Sequence, residues 1–142
     1  MELEILVFAS LELMVSQFCP VGAFCAQRPP AACSRPCRHA RYELRDKKGY
    51  VFPLVCDEFC RSHLINSHDL SLLGELPALQ EKGAGLRLDL RFYRAPVAAR
   101  LITLFHKALQ TGARDQRGEL WQEVAAITGR KTTRGHYHRG VE

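Results

Sequence analysis

No apolar run in this chain of 142 residues approaches the about 18 that a membrane-crossing helix needs, so no such span is expected. The N-terminal segment matches a secretion leader only loosely. Glu2 and Glu4 stand where a basic segment belongs, and Glu12 interrupts the apolar stretch, which points to a cytoplasmic chain. There is no HExxH, no paired-carboxylate motif, and no Ser-His-Asp or Cys-His arrangement readable from spacing. No catalytic residue is therefore assigned. No internal repeat is visible. What is present is globular: 46% hydrophobic and 25% charged residues, enough to exclude a disordered chain and to form one domain with a real core.

The net charge is +5, and its placement matters more than its size. Residues 28–48 carry Arg28, Arg35, Arg38, Arg41, Arg45, Lys47 and Lys48 against only Glu43 and Asp46. A second basic run, Arg130, Lys131, Arg134 and Arg139, lies near the end of the chain. Clustered cations suit RNA or another anionic partner. The alternative is a solvated loop face.

Six cysteines, Cys19, Cys25, Cys33, Cys37, Cys56 and Cys60, fall within 42 residues. A secreted domain would pair them as disulfides. In a reducing compartment such a cluster is more often a metal or iron–sulfur site.

Residues 3–15 read as buried strand, or as two short strands with a bend at Ala9 and Ser10. Five prolines and glycines between 19 and 37 exclude long elements there. Residues 40–45 and 50–55 flank Asp46-Lys47-Lys48-Gly49 as a β-hairpin, with positive φ expected at Gly49 and Pro53 placing the second strand at an edge. Ser67 or Asp69 is expected to cap a short helix to about Leu73, and Pro77 to open another that ends at Gly83. Residues 86–92 alternate, with Leu86, Leu88, Leu90 and Phe92 on one face. Residues 96–110 form the clearest helix, with an apolar stripe of Val97, Leu101, Leu104, Phe105, Ala108 and Leu109, and Glu119–Ile127 is a shorter one. A strand followed at once by an amphipathic helix is a βα unit and implies parallel pairing. So few strands read as the last part of a larger α/β protein, whose unpaired edges would make the isolated chain aggregation-prone.

Several segments carry a resemblance: LMVSQFCPVG (13–22), CSRPCR (33–38), YELRDKKGYVFPL (42–54), DEFCRSHLINSHDLSLL (57–73), LRLDLRF (86–92) and ITGRKTTRGHYHRGVE (127–142). Together they resemble the collagenase-like peptidase family U32. The start of that family's Glu-x-Phe-x-x-Gly signature is altered, with Glu4 and Phe8 at changed spacing and Ala9-Ser10 in place of the glycine. The resemblance implies the C-terminal part of a barrel-like α/β domain, with a β-hairpin insertion and a cysteine-rich loop. The expected organisation is a single partial domain: a barrel strand region at 1–18, the cysteine-rich loop and hairpin at 19–66, helices and the final βα unit at 67–112, and a basic tail at 113–142. An N-terminal barrel portion or a partner subunit would complete it. The family carries a peptidase label with collagen-degrading members, while several members look like iron–sulfur proteins that support hydroxylation of ubiquinone precursors or modification of RNA bases.

A [4Fe–4S] cluster takes four thiolates. Cys33 and Cys37 can come from one turn, Cys19 precedes the Pro20–Gly22 turn, and Cys60 follows the hairpin, giving C-x13-C-x3-C-x22-C on the family-like motif positions. Cys25 and Cys56 fall outside those motifs and read as buried thiols. Zinc held by Cys33, Cys37, Cys56 and Cys60 is the competing assignment. Arg35, Arg38 and Arg61 adjoin the candidate ligands and would offset thiolate charge.

Substrate-binding candidates are Arg91, His63 and His136. Arg91 lies at the end of an expected barrel strand, with a salt bridge to Asp89 as the alternative. His63 flanks Asn66-Ser67 and faces either a pocket or structure. His68 reads as a helix-start residue and His106 as a boundary residue. His136, Tyr137 and His138 suit stacking on nucleic acid, or a tail folded over the cluster loop.

Overall fold

A computed structural model describes residues 3–26, 33–112 and 118–135. The chain folds as two compact units: Met1–Ser10 with His68–Glu142, and Leu11–Ser67.

The first unit holds the βα segment. Strand β1 (Glu4–Ala9) pairs in parallel with β7 (Gly85–Asp89) and antiparallel with β6 (Asp69–Ser71), and β6 pairs in parallel with β8 (Thr132–Thr133). The strand order is β7-β1-β6-β8. The helices are α1 (Leu76–Glu81), α2 (Ala95–Thr111) and α3 (Glu119–Thr128). Pro96 sits in the first turn of α2, where its missing N–H costs nothing. The expected stripe faces inward: Leu101, Leu104, Phe105 and Ala108 are buried, and Val97 and Leu109 pack beside them. They meet Val7 and Phe8 of β1 and Val124 and Ile127 of α3. Phe8 lies edge-on to Phe105 at 5.8 Å between ring centroids. Each large apolar side chain buried in this way contributes about 1.5–3 kcal/mol.

The second unit is an antiparallel sheet of order β2-β5-β4-β3, made of β2 (Glu12–Ser16), β3 (Tyr42–Arg45), β4 (Val51–Cys56) and β5 (Ser62–Ile65). The expected hairpin is β3–β4. Its turn is fixed by the Asp46 carboxylate, which accepts the Lys48 and Tyr50 backbone N–H groups at 2.8 and 2.9 Å, and by Gly49 at φ +83°.

Several expectations are corrected. The fold is mixed α/β, but among the described residues no closed barrel forms. The parallel β1–β7 pair is one corner of a four-stranded mixed sheet, too few strands to close. Residues 3–15 do break at Ala9 and Ser10, but β1 and β2 then enter different sheets. β2 is an edge strand rather than a doubly covered one, so Leu13, Met14 and Val15 are about half exposed. Pro53 does not put β4 at an edge. β4 lies between β3 and β5, and its ladder with β5 begins only at Leu54, one residue past the proline that has no N–H to give. The cysteines do not share a single loop but come from turns and from the end of β4. Asp69 caps no helix: it begins β6, because its carboxylate is consumed in the interior. Phe92 turns outward, since β7 ends at Asp89 and a tight turn (Tyr93 N–H to Leu90 O, 2.9 Å) sends Tyr93 against Phe8 instead. Among the described residues no helix is long and apolar enough to cross a membrane.

Candidate metal centre

The site lies within the Leu11–Ser67 unit. β2 delivers the chain to Cys19. The Ala23 N–H then bonds the Cys19 carbonyl at 3.0 Å and starts a helical turn, continued as a π-helical turn over Gly22–Ala26. Cys33 precedes a 3₁₀ turn, Pro36–Arg38, that carries Cys37. Cys56 ends β4, and Cys60 sits in the turn joining β4 to β5. These segments surround a cavity of about 240 Å³ lined by Cys19, Cys33, Cys37, Cys56 and Cys60 with Gly22 and Arg35 among its walls.

Two sulfurs accept backbone N–H groups: Gly22 donates to Cys19 Sγ at 3.3 Å, and Arg35 to Cys33 Sγ at 3.4 Å. Such N–H···S bonds tune thiolate-bound metal centres. Gly22 packs against the site: a Cβ there would lie 3.6 Å from both Cys19 Sγ and Cys33 Sγ, at ordinary van der Waals contact. Arg35 (φ +53°) and Cys60 (φ +61°) are the described non-glycine residues with left-handed backbone, and both line this cavity. That conformation costs an L-residue about 1–2 kcal/mol and gathers at functional sites.

Cys56 Sγ is 3.8 Å from Cys19 Sγ and 4.0 Å from the Ser62 hydroxyl. Burial pushes its thiol up to about 12, helped by Cys19. The charge of a metal held in the cavity would reverse that preference. Burial, then the Cys25 and Cys37 sulfurs, raises the Tyr42 hydroxyl.

The four expected ligands are thus brought around one cavity. Cys56 joins them, which the motif spacing did not require. Cys25 is exposed rather than buried, and it does not line the cavity. The donor chemistry fits a thiolate-bound group. Among the described residues no three His, Cys, Asp or Glu side chains are already drawn to metal-ligating separation.

His63 belongs to the same unit but does not line the cavity. Its ring bridges Glu12 (Nδ1 to Oε2, 2.7 Å) and Asp57 (Nε2 to Oδ2, 3.4 Å). Glu12, then Asp57, raises its pKa above the usual 6.5 against an opposing effect of burial. Burial would raise Asp57, but the Arg61 N–H and guanidinium, with His63, hold it at about 2. Arg61 therefore serves Asp57 and the face of Phe59. In the other unit, Arg91 takes its salt-bridge reading, 2.8 Å from Asp89. Arg130 pairs with Asp69, and Arg134 stacks on Trp121 and lies 3.6 Å from Glu75. His106 is exposed beside the buried stripe of α2. Arg28, His136, Tyr137, His138 and Arg139 lie outside the described residues.

Sequence reasoning did not find the hub of the first unit. Asp69 is fully buried and accepts hydrogen bonds from the Ser10 hydroxyl (2.7 Å), the Tyr93 hydroxyl (2.5 Å) and Arg130 Nε (3.0 Å). Burial and Asp69 raise the Tyr93 hydroxyl far above its usual range. A single aspartate ahead of Leu-Ser-Leu-Leu carries no motif that would have announced it.

The model of peptidase family U32 matches residues 1–142, the whole chain. No curated protein and no solved structure matches it.

Proposed function

Because the chain belongs to peptidase family U32, we propose that its cysteine cavity holds a [4Fe–4S] cluster through Cys19, Cys33, Cys37 and Cys60, in the service of hydroxylation or RNA modification. The observation that carries this reading is the meeting of five thiols at one cavity of about 240 Å³, two of them receiving backbone N–H groups. When bound, the cluster supplies one-electron transfer. The chain's own residues have the other tasks. Gly22 and Arg35 aim N–H groups at ligand sulfurs, and the left-handed turn at Cys60 presents its side chain to the cavity wall. Phe18 and Phe59, both largely exposed, stand in the same unit as Arg35, Arg38, Arg41, Arg45, Lys47 and Lys48. Exposed rings among cations are the combination that binds single-stranded RNA.

A second reading, structural zinc, is favoured by Cys56, since Cys33, Cys37, Cys56 and Cys60 all line the cavity. The family's peptidase label gives a third, metal-independent hydrolysis. Anaerobic reconstitution followed by iron, sulfide and zinc analysis separates them. The cluster reading expects a brown chain with equal iron and sulfide. Zinc without iron supports the second reading, and peptide hydrolysis that survives removal of all metal supports the third.

A further inference from the structure

Five thiols line a cavity where a four-thiolate centre needs four, and the surplus one, Cys56, touches a ligand candidate. We propose that Cys19 and Cys56 are a redox-modifiable pair that closes to a disulfide and thereby takes Cys19 out of the metal-binding set. Their sulfurs are 3.8 Å apart, at van der Waals contact, so the two need to approach by only about 1.8 Å to reach the about 2.05 Å of a disulfide. The two residues come from different segments, the loop after β2 and the end of β4, so the bond would tie two separate segments of the cavity lining together. Both are only partly covered, and the cavity opens a route for a small oxidant.

The oxidant is a low-molecular-weight disulfide of the glutathione class. One protein thiolate attacks it, releasing one small thiol and leaving a mixed disulfide. The neighbouring protein sulfur then displaces the second small thiol. Overall, Cys19 and Cys56 give up two electrons and two protons and gain one S–S bond, while the oxidant becomes two thiols. The effect on metal loading rests on the cluster reading above; the disulfide itself does not.

The test uses the full metal-free chain, incubated with oxidised glutathione, alkylated, digested and analysed by mass spectrometry. The expected result is a Cys19–Cys56 linked peptide as the dominant intramolecular link, lost in Cys56→Ser and retained in Cys60→Ser. Alkylated Cys19 and Cys56 in the oxidised chain, or Cys19 linked mainly to another cysteine, would overturn the inference. In parallel, iron uptake is measured before and after oxidation, then after dithiothreitol. Uptake should fall several-fold on oxidation and return on reduction. A reduced chain that loads iron but never forms the link sinks this inference and leaves the cluster reading standing. A chain that forms the link but takes no iron when reduced does the opposite.

Discussion

Gly49 shows how one residue sets a turn. Its φ of +83° lies where a side chain is strained, yet nothing lies within 4 Å of a Cβ built there. The cost of Gly49→Val is therefore conformational and not a clash: about 1–2 kcal/mol, more for a β-branched residue than for Asn. Urea unfolding checks it, and unchanged stability would contradict the turn. His63 gives a second residue-scale prediction. Glu12 and Asp57 raise its pKa above 6.5, so the protonated ring stabilises the folded state fully below 6.5, and that contribution is lost as pH rises through the folded value. Asp57 works in the other direction. Held at about 2 against an ordinary 3.8, it contributes above 3.8 and loses that contribution as pH falls toward 2. An NMR titration should put the His63 midpoint above 6.5, with Glu12→Gln lowering it. At this scale the sequence showed which cysteines sit on motifs. It could not show that Cys56 reaches Cys19, because that contact depends on how the end of β4 meets a loop 37 residues earlier.

Among elements, those governed by local chemistry were legible and those governed by tertiary contacts were not. The β3–β4 hairpin carries its turn in Asp46 and Gly49, and α2 carries its start in Pro96 and its face in a regular stripe. β6 has only three residues, begins with a polar one, and exists because β1 and β8 flank it and Asp69 anchors it. That anchor yields a prediction. Asp69→Ala removes the buried acceptor that Arg130, Ser10 and Tyr93 share, so stability should fall by about 3–5 kcal/mol. Asp69→Asn keeps the shape and should fall less. Thermal unfolding of both variants checks the order, and equal losses would show that charge and not packing matters there.

For the whole molecule, the family was legible from scattered motifs because they are specific in combination, and the family model covers the chain. The barrel-like arrangement that the resemblance implied does not form among the described residues, since strand pairing is decided by contacts between distant segments: β1 has a parallel neighbour on one side and an antiparallel one on the other. The two-unit division also escaped the sequence, because Ser10 and His68, where the chain leaves and rejoins the first unit, carry no linker composition. At this scale we propose that the Leu11–Ser67 unit gathers thiolates from separate segments around a common cavity. Iron per chain after anaerobic reconstitution of single Cys→Ala variants tests it most directly. Cys19, Cys33, Cys37 and Cys60 variants should each lose most of their iron, because removing one thiolate opens a position on the centre, whereas Cys25→Ala and Cys56→Ala should stay near the parent value. Loss of iron in Cys56→Ala with retention in Cys19→Ala would contradict the account and move the centre to the Cys33, Cys37, Cys56 and Cys60 set.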